Sequence, residues 1–203
     1  MNPPRLPDGL VYIRCNAFRT LTYFVKQHHK TLLDIGIGNG DKLLYWHTKG
    51  LLVGGCDNDE AKLEDARDKR FRVEHVDLND TSTPLPYDDD SFDVVTCVHV
   101  LEHVKDPKWV VEEAMRISKD LVLLNVPKQR SYFSPEHIHF WEDGPEFAEA
   151  VCKAGYLYFI EAVISKDEDV RKTVRDRLRP ENTGVYYYDQ GFLMVIYKKL
   201  SKL

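Results

Sequence analysis

Short apolar runs alternate with amphipathic stretches along most of this chain of 203 residues. Thr31–Gly36 is the first run, and it ends in glycines. Asp41–Lys49 predicts a helix that stops at Gly50. Leu51–Asp57 predicts a second strand, Glu60–Lys69 a polar helix, Phe71–Asp77 a third strand and Phe92–Val98 a fourth. Asp106 followed by Pro107 marks a helix start, with Val110, Ala114 and Ile117 on one face. Leu121–Val126 predicts a fifth strand, closed by Pro127. Asp143 and Glu146 have capping-box spacing ahead of a helix that turns Phe147, Ala150, Val151 and Ala154 inward. Tyr156–Ile164 and Gly191–Tyr197 predict two further strands, with a charged helix and turn over 166–184 between them. Upstream, Pro3, Pro4 and Pro7 make residues 1–10 an irregular arm, and Phe18, Leu21, Phe24 and Val25 predict a helix over 15–29.

Uniformly apolar strands separated by helices indicate a parallel sheet covered on both faces. The fold class is therefore α/β, and the length suits one domain. Its parts are residues 1–29, an arm and helix; 30–165, the core; and 166–203, a charged insertion and the final strand. The hydrophobic fraction of 43% argues against disorder. Lys plus Arg is 28 and Asp plus Glu is 33, a net charge of −5, so no global attraction to nucleic acid or anionic lipid is expected. The four cysteines, Cys15, Cys56, Cys97 and Cys152, are scattered and form no CxxC pair. They exclude a zinc ribbon and argue against a secreted disulfide framework. The stretch MNPPRLPDGL has no apolar core segment, and no run approaches the roughly 20 residues of a membrane span. A soluble, cytoplasmic protein with no membrane or secreted partner is expected.

The first candidate site is Asp34-Ile35-Gly36-Ile37-Gly38-Asn39-Gly40-Asp41, between a strand and a helix. Glycines there allow a tight turn and close approach of a ligand to the backbone. A dinucleotide fingerprint would have glycine at position 41, where Asp41 stands, which disfavours an NAD-dependent dehydrogenase. Asp34 and Asp41 would also oppose a pyrophosphate, so a cationic ligand without phosphates fits better. Asp57, at the end of the second strand, is placed to accept from ribose hydroxyls. Asp77 could accept from an exocyclic amine, with Leu78 packed on a purine. All of these positions fall at carboxyl ends of strands, the usual ligand edge of an open α/β sheet.

In this order, Leu32–Gly40, Gly55-Cys56-Asp57-Asn58-Asp59, Val76-Asp77-Leu78, Pro86–Val95 and Val100-Leu101-Glu102-His103-Val104 resemble the motifs of class I S-adenosylmethionine-dependent methyltransferases, in particular small single-domain members with an LEHV segment. The resemblance covers about residues 30–165. It implies a Rossmann-like three-layer sandwich whose seven-stranded, mostly parallel sheet has an antiparallel last strand. It implies S-adenosylmethionine as cofactor and methyl transfer to an O, N or C nucleophile of a small-molecule acceptor. Carried over residue by residue, Gly36 and Gly38 approach the methionine part and Asp34 orients its amino group. Asp57 and Asn58 hold the ribose, Asp77 and Leu78 the adenine, and Cys97 and Val98 lie beside the methyl donor.

Histidines are concentrated near the expected acceptor side. His99 and His103 follow the fourth strand, and His137 and His139 lie in the loop after the fifth. Histidine titrates near neutrality and can act as a base or a metal ligand, so His99, His137 and His139 are the catalytic candidates. Tyr132, Phe133, Phe140 and Trp141 could close over them as a lid. The metal-free reading is adopted. Its alternative is a divalent ion on His99, Glu102, His103 and His139, since on a helix positions 99, 102 and 103 share one face. That set resembles the ExxEH segment of metal-dependent small-RNA 2′-O-methyltransferases, with His99 at the place of the first glutamate. RNA is accordingly a second acceptor class. Lys166, Arg171, Lys172, Arg175, Arg177 and Arg179, followed by Tyr186, Tyr187 and Tyr188, could bind it, although interleaved acids favour a solvated helix. A third alternative is a partner subunit that binds the cofactor without turnover. Asn125-Val126-Pro127 and the fourth-strand segment resemble a methionine-biosynthesis accessory protein in this respect.

Overall fold

The computed structural model describes residues 24–38, 40–127, 135–153, 158–164 and 189–198. Seven strands make one sheet: β1 (Thr31–Ile35), β2 (Leu52–Asp57), β3 (Arg72–His75), β4 (Phe92–Val98), β5 (Ser118–Val126), β6 (Tyr158–Ile164) and β7 (Asp189–Tyr197). Their order across the sheet is β3-β2-β1-β4-β5-β7-β6. The first five run parallel, while β7 is antiparallel to both β5 and β6. The four described helices are α1 (Asp41–Thr48), α2 (Glu60–Asp68), α3 (Pro107–Ile117) and α4 (Gly144–Val151). This is the expected Rossmann-like sandwich with an antiparallel last strand. Among the described residues, no helix is long and apolar enough to cross a membrane.

The continuous apolar strands are explained by burial on both faces. Leu33, Ile35, Val95, Cys97, Val122, Leu124, Met194 and Ile196 pack on the face that meets α3 and α4. Their neighbours Leu32, Val94, Val98, Leu121, Leu123, Leu193 and Val195 pack on the other, with Trp46 of α1. Alternate side chains point to opposite faces of a strand, so both phases must be apolar. β1 and β4 are adjacent although β2 and β3 intervene in sequence. The chain therefore departs in opposite directions from β1 and β4, which leaves a crevice at their carboxyl ends.

Both predicted caps form. Asp106 accepts from the Trp109 amide at 3.0 Å, and Asp143 accepts from the Glu146 amide at 2.8 Å. The reciprocal contact differs from a capping box: Glu146 accepts from the Glu142 amide instead. In α4, Phe147 and Val151 are buried as expected, but Ala148 replaces Ala150, which is exposed. Ala154 lies outside the described residues.

The end of the predicted 15–29 helix is a correction. Residues 24–29 form turns. Here Nδ1 of His29 accepts from the Lys26 amide at 2.9 Å, and its Nε2 lies 3.0 Å from Asp120 Oδ2. Asp93 then accepts from the Lys30 and Thr31 amides, drawing the chain straight into β1. Tertiary partners thus take the backbone and side-chain groups a last helical turn would use. The rest of that helix, Cys15, and the charged segment with Tyr186–Tyr188 lie outside the described residues.

Candidate functional site

The glycine loop leaves β1 through two residues that need a left-handed backbone. Gly36 has φ +74°, and a Cβ there would meet a methyl of Val100 at 2.2 Å. Gly38 has φ +57°, yet a Cβ there would meet nothing within 4 Å. Gly36 is thus fixed by packing, whereas Gly38 faces open space. Oδ2 of Asp57 accepts from the Gly38 amide at 2.9 Å, and its Oδ1 accepts from the Asp59 amide at 3.1 Å. A carboxylate has about four lone-pair sites, so Asp57 keeps acceptor capacity for a ligand.

These groups line a cleft of about 620 Å³. Its wall includes Gly36, Gly38, Asp57, Asn58, Leu78 and Val98 from the expected cofactor set. Lys42, Asn79, His99 and His103 also line it. The cleft sits at the carboxyl ends of β1, β2 and β4, the edge the topology designates.

Three expected contacts are not on this wall. Asp34 is completely buried. Its Oδ1 accepts from Thr96 Oγ1 at 2.7 Å, and its Oδ2 lies 3.3 Å from Lys42 Nζ. Asp34 and Thr96 are register partners in β1 and β4 and so share one face. Burial raises the Asp34 pKa, while the Lys42 charge and the Thr96 hydroxyl oppose that rise. Lys42 also donates to the Gly36 carbonyl at 2.6 Å, so this chain supplies its own ammonium beside Asp34. Cys97 is completely buried behind the cleft wall. Asp77 accepts from the Asn79 amide at 2.9 Å and shapes the turn that presents Leu78 and Asn79.

Lys42 is a cleft-lining residue that the motifs do not single out. A signal for it exists: Lys42 and Trp46 are four apart in α1, and Trp46 is a core residue. A lysine on the buried stripe of a helix that follows an acid-ended strand points to an internal ion pair.

The buried thiols are expected to be inert. Burial pushes the Cys56 thiol up to about 12, the Cys152 thiol up to about 11 and the Cys97 thiol well above its ordinary value. The thiolate is the reactive form. Iodoacetamide at pH 8 followed by peptide mapping should leave Cys56 and Cys97 unlabelled in native protein and label both in urea. Labelling of either in the native state would contradict their burial.

The histidines divide. His99 is half-exposed, lines the cleft and has φ +56°, a left-handed conformation costing a side-chain-bearing residue roughly 1–2 kcal/mol. Its amide continues the β4–β5 ladder by donating to the Asn125 carbonyl at 2.8 Å. Residues 99–105 form turns rather than a helix, yet Glu102 still meets both flanking histidines. His99 Nδ1 is 3.4 Å and His103 Nε2 is 3.9 Å from Glu102 Oε1. His137 is buried, with its ring 4.7 Å from that of His103 in an edge-on contact. Burial holds its imidazole below the usual pKa, with the Glu102 charge opposing. His139 lies apart: its Nε2 is 2.9 Å from the Val104 carbonyl, and its ring stacks on Trp141. Trp141 is itself in the core against Phe147 and is no lid. Tyr132 and Phe133 lie outside the described residues.

A parallel sheet with its switch point at β1/β4, a glycine loop, and an acid ending β2 over an open cleft define a nucleoside-cofactor domain of the class I methyltransferase type. Residues 33–123 match a protein family described as a methyltransferase domain, and S-adenosylmethionine-dependent methyltransferases of Thermotoga maritima and Mesorhizobium loti, each 16% identical, share the fold with a TM-score of 0.65. The cofactor of this family is S-adenosylmethionine.

A ubiquinone biosynthesis O-methyltransferase of Pseudomonas putida is 35% identical over 168 residues, 80% of this chain and 64% of that protein. The 27-O-demethylrifamycin SV methyltransferase of Amycolatopsis mediterranei is 34% identical over 94 residues, 42% of this chain and 34% of that protein. The matched stretches thus span between about a third and two thirds of these relatives. Among solved structures, a putative methyltransferase of Haloferax volcanii, in complex with the Trm112 methyltransferase activator, superposes with a TM-score of 0.64. It is 20% identical, and the match covers 90% of this chain and 89% of that one. At that identity the likeness concerns the fold.

Proposed function

We propose that this chain transfers a methyl group from S-adenosylmethionine to an oxygen of a small-molecule acceptor. The observation that carries the reading is one cleft lined both by the glycine loop and Asp57 and by His99 and His103. Bound there, the cofactor supplies an electrophilic methyl group on a sulfonium that is a good leaving group.

The residues present fit that molecule. The open space above Gly38 admits a ligand against bare backbone. Asp57 has spare acceptor sites for ribose hydroxyls, and Asn58 stands beside it. Leu78 offers an apolar surface to the adenine. Because Lys42 already neutralises Asp34, Lys42 rather than Asp34 is the residue suited to face the methionine end, where its ammonium would meet the carboxylate. The rest of the chain's work is positioning. An acceptor hydroxyl must also lose a proton, and His99, half-exposed on the cleft wall, is the proposed base. His137 and His139 do not line the cleft and are not assigned that role. Oxygen is preferred over nitrogen or carbon because the Pseudomonas putida relative, matched over 168 residues, is an O-methyltransferase.

The test is calorimetry with S-adenosylmethionine, followed by a methyl-transfer screen of small phenols and alcohols. Micromolar binding and turnover are expected. Binding without turnover on any small acceptor would favour the partner-subunit reading. Asp57→Ala should weaken cofactor binding by about tenfold or more, because charge-assisted hydrogen bonds contribute about 1.5–3 kcal/mol. Unchanged affinity would remove Asp57 from the ribose site.

A further inference from the structure

Glu102 poses a problem that the methyltransferase reading leaves open. It is 1% exposed, and neither side-chain oxygen has a hydrogen-bond partner among the described residues. An isolated buried carboxylate costs several kcal/mol unless something positive compensates it. Around it stand the ring nitrogens of His99 and His103, 3.4 and 3.9 Å from its Oε1. One ligand nitrogen or oxygen from each of Glu102, His103 and His137 lies within 4.8 Å of the other two.

The proton positions sharpen the point. His103 Nδ1 lies 3.2 Å from the backbone carbonyl of Glu136, an acceptor, so this nitrogen carries the proton. In the neutral ring Nε2 then presents a lone pair toward Glu102 Oε1, 3.9 Å away. Two acceptors facing each other at that distance leave room for a proton or a metal ion to join them. Donation of the second ring N–H to a backbone carbonyl is also how a ligating histidine is usually oriented.

We propose that Glu102, His103 and His137 form a binding site for a divalent transition-metal ion at the acceptor end of the cleft. Two imidazoles and one carboxylate suit zinc, manganese or iron better than magnesium. Ligand atoms around a tetrahedral zinc ion stand about 3.3 Å apart, given bonds of about 2.0–2.1 Å, so an ion would draw this set inward. The position left open faces the cleft, since His103 lines it and His137 lies behind. Resting on the O-methyltransferase reading, that position would take an acceptor oxygen and lower the pKa of its hydroxyl. His139, bonded to Val104, is not a ligand.

A second cluster, His28, His29 and Asp120, also brings ligand atoms together. There His29 accepts from the Lys26 amide through Nδ1 and faces Asp120 through Nε2 at 3.0 Å. Those groups satisfy one another, so the cluster serves as an internal control.

The test needs no methyl acceptor. Chelator-stripped protein is titrated with cobalt(II) alone, followed by visible ligand-field absorption, and zinc is then added as competitor. The expected result is one equivalent of cobalt, displaced by zinc. Affinity should fall by about a hundredfold in His103→Ala and in His137→Gln and stay unchanged in His28→Ala. His103 is about one third exposed, so its replacement is expected to fold; thermal melting and S-adenosylmethionine calorimetry check this separately. Absence of cobalt binding by folded wild-type protein would overturn the proposal and assign the compensating charge to a histidinium. Binding lost in His28→Ala but kept in His103→Ala would overturn it as well. Cofactor binding in the same samples reports on the methyltransferase reading independently.

Discussion

Replacing Lys42 by methionine is expected to destabilise the fold by about 3–5 kcal/mol, the range for leaving one member of a buried pair uncompensated. Asp34 is completely buried, and Lys42 is only 16% exposed at its side chain. The methionine keeps the aliphatic packing of α1 and removes the charge. Equilibrium urea denaturation should then show partial recovery in the double variant Asp34→Asn/Lys42→Met, because the amide needs no counter-charge. The pH dependence has a definite sign. Burial raises the folded-state pKa of Asp34, and Lys42 opposes that rise. A raised folded pKa means the folded state binds the proton more tightly, so the stability it contributes is present at low pH and lost as pH climbs through the folded value. Without Lys42 that pKa rises further, so the penalty in Lys42→Met should be smallest in acid and grow toward neutrality. A loss below about 1 kcal/mol at pH 7, with no benefit from Asp34→Asn, would mean that water rather than Lys42 compensates the carboxylate.

The same pair marks the boundary of what the sequence discloses. β4 is legible to the residue because Phe92–Val98, interrupted only by Asp93 and Thr96, is an apolar run bounded by turn residues. The antiparallel last strand and the cleft wall of Gly36, Gly38, Asp57 and Leu78 follow from motifs that are local in sequence. Asp34 is equally local, but its role depends on Thr96 across the sheet and Lys42 above it, two contacts that no short window contains. His137 and His139 make the point more sharply. They are two residues apart and alike in sequence, yet one joins Glu102 and His103 while the other stacks on Trp141. The turn over residues 135–140 decides between them: the Ile138 and His139 amides both donate to the Glu102 carbonyl, at 2.9 and 3.2 Å. The turn at 24–29 is hidden for a related reason. Its apolar spacing is helical, but Asp93 and Asp120 claim its polar groups from elsewhere in the chain.

The second large effect concerns a residue that touches no part of the cleft. Arg116→Ala is expected to cost about 3 kcal/mol and to weaken S-adenosylmethionine binding severalfold. Arg116 on α3 forks onto Glu113 through Nε and Nη2 at 2.8 and 2.7 Å. It also donates to the carbonyls of Tyr87 at 2.7 Å and Leu85 at 3.0 Å and to Asp89 at 2.8 Å. Glu113, largely buried, accepts in turn from the Leu85 amide at 2.8 Å. The long connection from β3 to β4 is therefore fastened to α3 by one guanidinium and one carboxylate. That connection carries Leu78 and Asn79 to the cleft, and its Tyr87 hydroxyl donates to the Gly55 carbonyl of β2 at 2.9 Å. Loosening it should cost cofactor affinity through position rather than contact. Arg116→Lys should recover less than half of the stability, since an ammonium cannot reproduce the planar fork. Denaturation and calorimetry on both variants decide the matter. If lysine restores full stability, charge alone holds the loop; if affinity is unchanged while stability falls, Leu78 and Asn79 are positioned by their own turn and the clamp serves folding only.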